Sequence, residues 1–208
     1  MKNDYIGDSL DAAKSVLLAS LASNGISPCL VPLPSHDNFD HALFARCVSP
    51  YGPSLIYRSR ENLTYRNHQR ERYLNDLSIW LTTEGASTQV ILFDPDTGIR
   101  PDRDTNKFLG VHRLTGFLDD HPHCVISVYQ HRGTGGLSID DSLALISTGS
   151  RFAYDFGSAA ILFWANEPAQ TNLERIRRMF TDSFNYRRII PKVHNIAAAV
   201  NGEEAGRP

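Results

Sequence analysis

The apolar run Val90-Ile91-Leu92-Phe93 constrains the fold of this chain more than any other feature of its sequence. Four consecutive large apolar residues indicate a strand buried on both faces, because a strand with one wet face alternates apolar and polar residues. The run leads directly into Asp94-Pro95-Asp96-Thr97-Gly98, where proline and glycine favour a tight turn. We therefore expect a buried strand over Thr88–Phe93 that ends in a turn carrying two carboxylates.

Apolar runs of strand length alternate with stretches of helical spacing along the rest of the chain. The predicted strands are Pro28–Leu33, Thr88–Phe93, Cys124–Tyr129 and Ala159–Ala165. The predicted helices are Asp8–Leu21, Phe39–Arg46, Leu63–Glu84, Lys107–Leu118, Ser138–Thr148 and Leu173–Phe184. This alternation is typical of βαβ units, so we expect an α/β fold, a three-layer α/β/α sandwich with a central, mostly parallel sheet. Residues 1–200 are expected to form a single α/β domain and residues 201–208 a flexible tail.

Composition narrows the class of protein further. Hydrophobic residues make up 41% and charged residues 21% of the 208 positions, which excludes a wholly disordered chain. No apolar run approaches the roughly 18 residues of a membrane span, and Met1–Tyr5 does not lead into the apolar segment of a secretory signal. The three cysteines, Cys29, Cys47 and Cys124, suit neither a disulfide scaffold nor a zinc ribbon. We expect a soluble, cytoplasmic protein with no membrane partner.

Arginines are concentrated in residues 57–73, here called the arginine segment, although the net charge of the chain is only −2. Arginine neutralises phosphates and aromatic rings stack on exposed bases, so arginines interleaved with tyrosines favour a nucleic-acid partner. The alternative is a solvated helix with ordinary surface arginines. Arg175 and Arg178 on the last predicted helix either extend the same surface or are solvated. The arginines of the segment are Arg58, Arg60, Arg66, Arg70 and Arg72, and its aromatic residues include Tyr57, Tyr65 and Tyr73.

Two polar clusters directly follow predicted strands, at the edge where sheets of this kind bind ligands. Asp94 and Asp96 follow the first strand, and carboxylates there suit a general base, although a capping turn uses the same residues. His131 follows the strand Cys124–Tyr129, and an imidazole there can transfer a proton near neutral pH. An ordinary loop histidine is the alternative.

A third polar cluster lies on the first predicted helix and just before it. Asp8, Asp11 and Lys14 are three residues apart and therefore share about one helical face. A solvated capping face accounts for them as well as a site does. On the functional interpretation Asp8 or Asp11 joins the site, and Tyr5 stacks on a base or sugar.

The order Y-x-G-D-x-x-D-x-x-K, D-P-D-x-G, Y-Q-H resembles a family of bacterial proteins, and the match runs from Tyr5 to about Phe180. The chain is also similar to the uracil-DNA-glycosylase-like superfamily, which includes glycosylases that excise modified bases from phage DNA. Those enzymes carry a strand ending in a D-P-Y or N-P-G turn and a later histidine loop. Phe93-Asp94-Pro95-Asp96 is similar to the first motif and Gln130-His131-Arg132-Gly133 to the second.

This resemblance implies a DNA glycosylase that releases a modified base, such as a glucosylated or hydroxymethylated cytosine of phage genomic DNA, in antiphage defence. Asp94 or Asp96 would stabilise the oxocarbenium-like sugar and orient the attacking water, with Asp8 as a second carboxylate. His131 would donate to the departing base. No metal or organic cofactor is expected. The expected substrate-binding residues are Tyr5, Asp11, Lys14, Tyr129, Gln130 and Arg132.

Two alternatives remain at this point. The Rossmann-like nucleic-acid methyltransferases carry a D-P-P-Y motif that Asp94-Pro95-Asp96 resembles, and these enzymes use S-adenosylmethionine. The first predicted strand here runs Cys29–Pro34 without the glycine-rich turn that such a cofactor needs, so methyl transfer ranks second. The other alternative is a non-catalytic nucleic-acid-binding protein.

Overall fold

The computed structural model describes residues 9–36, 38–48, 55–131, 137–147, 149–183 and 192–195. The helices are α1 Ser9–Ser23, α2 His41–Val48, α3 Arg70–Thr82, α4 Val111–Asp120, α5 Ile139–Ala144 and α6 Gln170–Ser183, with a short 3-10 helix over Glu167–Ala169. The strands are β1 Pro28–Pro32, β2 Leu55–Ile56, β3 Val90–Asp94, β4 Gly98–Arg100, β5 Phe108–Gly110, β6 Val125–His131, β7 Ser150–Asp155, β8 Ala159–Ala165 and β9 Lys192–Asn195. The expected tail, 201–208, lies outside these ranges.

Within the described part of the chain, seven strands form one sheet in the order β2-β1-β3-β6-β8-β7-β9. The four strands β2, β1, β3 and β6 run parallel to one another, whereas β8 is antiparallel to both β6 and β7. β8 is internal and buried as expected, but only residues 156–158 separate it from β7. Such a short connection permits only a hairpin, because a parallel pair needs a crossover of a dozen or more residues.

Helices cover both faces of this sheet, which confirms the expected α/β class. Along β3, Ile91 and Phe93 face one core with residues of α3, α4 and α5. Val90 and Leu92 face the opposite core with residues of α1, α2 and α6. The alternation follows from the period of two along a strand, and it explains why the whole run is apolar.

Two predicted helices differ from the observed elements. The helix expected from Leu63 begins only at Arg70, because the Tyr65 amide donates to the Pro34 carbonyl at 2.8 Å and holds residues 63–69 against the end of β1. The helix expected from Lys107 is divided into β5 and α4, because residues 108–110 pair with β4 in a small parallel ladder.

The carboxyl edge of the parallel strands contains the topological switch point of the fold. From β1 the chain passes to β2 on one side and then returns to β3 on the other side of β1. Ligands of open α/β sheets bind in the crevice at such a point, outside the carboxyl ends of the two central strands. β1 ends at Pro32 and β3 at Asp94, and these two residues are register partners. In the described ranges no helix is both long and apolar enough to cross a membrane.

Candidate functional site

Asp94 at the end of β3 is buried and bonded to Lys14 of α1. The Lys14 ammonium donates to Asp94 Oδ2 at 2.9 Å and to Asp11 Oδ1 at 3.0 Å. All three side chains are buried. The three residues, here called the buried triad, therefore tie the first turns of α1 to the end of β3.

The buried triad holds two carboxylates against one ammonium, with all three side chains shielded from solvent. Burial alone would lower the pKa of Lys14, but Asp94 and Asp11 raise it above the ordinary value, so the ammonium stays charged. Burial raises the pKa of the Asp94 carboxyl, against the opposing effect of Lys14. From the sequence, Asp11 and Lys14 are expected to bind substrate. In the structure the Lys14 ammonium is bonded to both Asp11 and Asp94.

Asp96, two residues beyond Asp94, is the more exposed of the two turn carboxylates. Its Oδ2 accepts a hydrogen bond of 2.8 Å from the hydroxyl of Ser35, which follows β1. Ser35 was not singled out in the sequence. The available signal was its position directly after the Pro28–Pro34 stretch, at the same sheet edge as Asp96.

His131 lies at the end of β6, next to the Asp96 turn. Phe93 and Val128 are register partners in the parallel strands β3 and β6, whose carboxyl ends therefore lie at the same edge of the sheet. The His131 amide also donates to the Thr97 carbonyl at 3.2 Å. The turn carboxylate and the imidazole expected from the sequence are thus brought to neighbouring positions.

Tyr129 cannot stack on a base in this conformation, which corrects the role expected for it. Its side chain is fully buried, with the Lys14 ammonium 4.7 Å from its ring centroid. His131 meets the same ring edge-on at 5.0 Å. The Tyr129 ring therefore packs against both Lys14 and His131. Its side chain points into the core that contains α1 and not towards solvent.

The Gln130 side chain is also buried, and it bonds to backbone groups of β4 and β6. Its amide oxygen accepts the Ile99 N–H at 2.8 Å and its amide nitrogen donates to the His131 carbonyl at 3.3 Å. Gly98, with φ of +130°, leaves room for this amide, which a Cβ at position 98 would strike. Gln130, expected from the sequence to bind substrate, thus joins β4 to the end of β6 through backbone groups.

The tyrosines of the arginine segment are buried and do not present their faces to a base. Tyr57, Tyr65 and Tyr73 belong to the core that contains α3. Tyr57 donates to Asp76 at 2.6 Å, and Tyr73 donates to the Pro32 carbonyl. Their regular spacing reflects attachment of the segment to the sheet, so these three tyrosines do not provide the stacking surface expected of them.

The arginines of the segment, in contrast, have exposed or half-exposed side chains. Arg60 pairs with Glu84 at 2.7 Å and Arg72 pairs with Glu61, both as exposed pairs. Exposed pairs of this kind contribute only about 0–1 kcal/mol, so they leave these guanidinium groups able to exchange partners. The Arg70 guanidinium lies over the Tyr65 ring. Arg58 and Arg66 are the remaining arginines of the segment.

Arg175 and Arg178 do not extend this surface. α6 packs on the opposite face of the sheet from α3. Arg175 donates to the Asn24 carbonyl at 2.7 Å, at the amino end of β1, and so lies at the edge away from Asp94. The two groups of arginines therefore lie on opposite faces of the sheet and at opposite edges of it.

A second ionic cluster, unforeseen in the sequence, braces the loop between β4 and β5. The buried carboxylate of Asp104 accepts from Arg113 Nε at 2.7 Å and from the Gly110 amide at 2.5 Å. Arg113 also binds Glu71 of α3. Glu71 precedes Arg113 by 42 residues in the sequence, so the fold and not local sequence brings the two side chains together.

Three of the predicted site residues, Tyr5, Asp8 and Arg132, lie outside the described residues. Within those residues no three His, Cys, Asp or Glu side chains are grouped closely enough to hold a metal ion.

No family model matches this chain, and no curated protein matches it. Among solved structures it is similar to the aspartate aminotransferase of Plasmodium falciparum, with 12% sequence identity and a TM-score of 0.40. The alignment covers 86% of this chain and 45% of that enzyme, so the chain spans less than half of the length of the enzyme. A likeness at this level bears on neither reaction nor substrate.

Proposed function

We propose that this protein hydrolyses the N-glycosidic bond of a modified base in DNA, acting against phage genomes. The observation that carries the proposal is the contact between the turn that holds the partly buried Asp96 and the end of β6, where the His131 amide donates to the Thr97 carbonyl at 3.2 Å. A glycosylase needs these two groups, an anion beside the sugar and a proton donor beside the base.

Asp96 is the carboxylate that acts on the sugar. As the base departs, the sugar gains positive charge, and a nearby carboxylate stabilises that charge and orients the attacking water. The Ser35 hydroxyl fixes one oxygen of Asp96. Asp94 is buried against Lys14, so its part is to hold the turn that carries Asp96.

His131 acts on the departing base, which accumulates negative charge as the bond breaks. A hydrogen bond from the imidazole stabilises this charge, and a histidine does so near neutral pH. Because the target lies inside a duplex or a strand, its base is flipped into the crevice before reaction. The cationic arginine segment beside the end of β1 supplies phosphate contacts for that strand.

The test is incubation of the protein with unmodified and phage-modified DNA, followed by mass spectrometry of released base and alkaline scission of abasic sites. We expect Asp96→Asn to abolish abasic sites while leaving the unfolding free energy within about 1 kcal/mol of wild type. Asp102→Asn, a change of an exposed aspartate in the neighbouring loop, is the matched control and keeps full activity. Activity that survives Asp96→Asn would sink the proposal.

Methyl transfer is a second candidate, favoured by one observation. The switch point between β1 and β3 is where Rossmann-like folds hold nucleotide cofactors, and the Asp94-Pro95 turn lies there. Against it, residues 32–39 contain no glycine that would let the backbone approach such a cofactor closely. The same mass spectrometry decides, since methylated DNA that appears only with added S-adenosylmethionine would replace the glycosylase proposal.

A further inference from the structure

A pocket of about 310 Å³ lies between the segment that follows β1 and the segment that follows β2. Its polar lining comes from Asp40 and His41 on the β1 side and from Arg58, Asn62 and Thr64 on the β2 side. Its volume is at the lower end of the range for small-molecule sites, which suits one nucleotide-sized ligand. We call it the β1–β2 pocket.

The β1–β2 pocket opens at the same sheet edge as the candidate catalytic groups. β1 continues through Ser35, which binds Asp96, to Phe39 and Asp40 at the pocket wall. On the other side, Thr64 precedes Tyr65, whose amide is bonded to Pro34. The pocket therefore lies at the carboxyl edge of the sheet, beyond β1 and β2, whereas Asp96 lies beyond the neighbouring strand β3.

The groups in the pocket are held by the fold and differ in chemistry. Arg58 is exposed, and its guanidinium lies 3.4 Å from Asn62 Oδ1. Asn62 has φ of +54°, a left-handed conformation that asparagine adopts more readily than most other non-glycine residues. Asp40 Oδ1 accepts the Leu43 amide at 2.8 Å and caps α2.

One wall of the pocket is a neutral ring. The His41 imidazole stands edge-on to Phe39, with the centroids 4.7 Å apart. Burial, with help from Arg58, lowers the pKa of His41, so the ring is uncharged at neutral pH. An uncharged ring, an amide, a hydroxyl and a carboxylate suit a base and a sugar, whereas the guanidinium suits a phosphate.

We propose that the β1–β2 pocket binds a single nucleotide, with its phosphate on Arg58 and its base and sugar against Asn62, Thr64 and the His41 ring. On the proposed function, which this refinement requires, the occupant is the nucleotide next to the excised one in the strand. The pocket then reads sequence context beside the target. Nucleotide binding itself is measured without any reaction.

The experiment is a titration of the full chain with thymidine 5′-monophosphate, with a trinucleotide, with thymidine and with inorganic phosphate, followed by calorimetry and by amide shifts. We expect the mononucleotide or the trinucleotide to bind and to shift the Asn62 and Thr64 amides. Arg58→Ala weakens binding about tenfold or more, as loss of a charged hydrogen bond does. Arg46→Ala, on the same α2 side but outside the pocket, changes binding less than twofold.

Asn62→Gly removes the amide while still allowing the positive φ, so it separates recognition from turn strain. We expect it to weaken the nucleotide several-fold and to leave inorganic phosphate unchanged. Tighter binding of the trinucleotide than of the mononucleotide supports a strand as the source, and equal binding supports a free nucleotide. Absence of binding, binding unaffected by Arg58→Ala, or phosphate binding as tightly as the nucleotide overturns the proposal.

The two proposals fail separately. Asp96→Asn, which removes base release on the proposed function, leaves the titration with thymidine 5′-monophosphate unchanged. A chain that binds the nucleotide but releases no base refutes the glycosylase alone. A chain that releases base without binding the nucleotide refutes the pocket alone.

Discussion

The Lys14 ammonium lies 2.9 Å from each oxygen of the Asp94 carboxylate, although 80 residues separate the two in the sequence. Both side chains are at least 95% buried. Asp11 is the third member of the cluster, at 3.0 Å from the same nitrogen. A buried cation that serves two buried anions is more costly to remove than an exposed pair.

Lys14→Met should therefore destabilise the protein by about 3–5 kcal/mol, because two carboxylates are left buried without their cation. Urea unfolding measures this loss. Lys107→Met, at an exposed lysine, is the control and should stay within about 0.5 kcal/mol. The double variant Lys14→Met, Asp94→Asn should recover part of the loss. A Lys14→Met protein as stable as wild type would contradict the structural role given to the triad.

Ser35→Ala should slow base release about tenfold or more, because the bond to a charged carboxylate that fixes Asp96 is lost. Stability should fall by about 1 kcal/mol, since the buried Ser35 side chain loses one hydrogen bond. Initial rates on modified DNA measure the effect, and kcat should fall more than KM rises. Ser35→Thr keeps a hydroxyl and should restore most of the rate, whereas Ser158→Ala, in an exposed turn, should have no effect. Equal loss in Ser35→Thr and Ser35→Ala would indicate a packing role instead.

Gly98→Ala should destabilise the protein by more than 1 kcal/mol, because its φ of +130° is unfavourable for alanine and its Cβ would meet the Gln130 amide. Gly116→Ala is the opposite case. Gly116 lies in α4 with open space around its Cβ position, so alanine there should stabilise by roughly 0.5–1 kcal/mol. Thermal unfolding of both variants checks the pair. An unchanged free energy of unfolding in Gly98→Ala would mean that the Gln130 amide does not occupy the space beside Gly98.

The pKa of His41 lies below its ordinary value of 6.5 because of burial and, to a lesser degree, Arg58, whereas Asp40 opposes the shift. The folded state therefore binds this proton less readily than the unfolded chain. Its contribution to stability is fully present above about pH 6.5 and is lost as the pH falls through the folded pKa. Arg58→Ala should raise the pKa and Asp40→Asn should lower it, as measured by imidazole NMR shifts. His121, whose pKa is also lowered by burial, should stay unchanged in both variants. A shift of His41 in the same direction in both variants would contradict the assigned causes.

Replacement of Arg66 and Arg70 by alanine should weaken DNA binding and reduce the log–log salt slope by about 0.9 for each phosphate contact that is lost. Arg175→Ala should leave both quantities unchanged, because Arg175 is bonded to Asn24 at the opposite edge of the sheet. Fluorescence anisotropy across a salt series measures both. If Arg175→Ala weakens binding as much as the Arg66 and Arg70 changes, the nucleic acid lies on the α6 face.

Part of the candidate site could be predicted from local sequence. The turn after Phe93 and the histidine after Tyr129 follow apolar runs, and parallel strands place their carboxyl ends at one edge. Ser35 and the Asp104–Arg113–Glu71 cluster could not be predicted in this way, because their partners come from segments far apart in the chain. The contacts of Tyr129 and Gln130 could not be predicted either, because strand polarity predicts their level along the sheet but not which groups cover them.

The apolar runs of the chain are enough to predict the layers of the fold and the edge of the sheet at which polar groups gather. The runs Val90–Phe93 and Ala159–Ala165 are apolar at every position, so they had to be buried between two helical layers. Tertiary structure alone decided the direction of β8, the exposure of each carboxylate and the division of the arginines between two faces. Lys14 binds Asp94 across 80 residues, and burial, not residue type, distinguishes Asp94 from the more exposed Asp96.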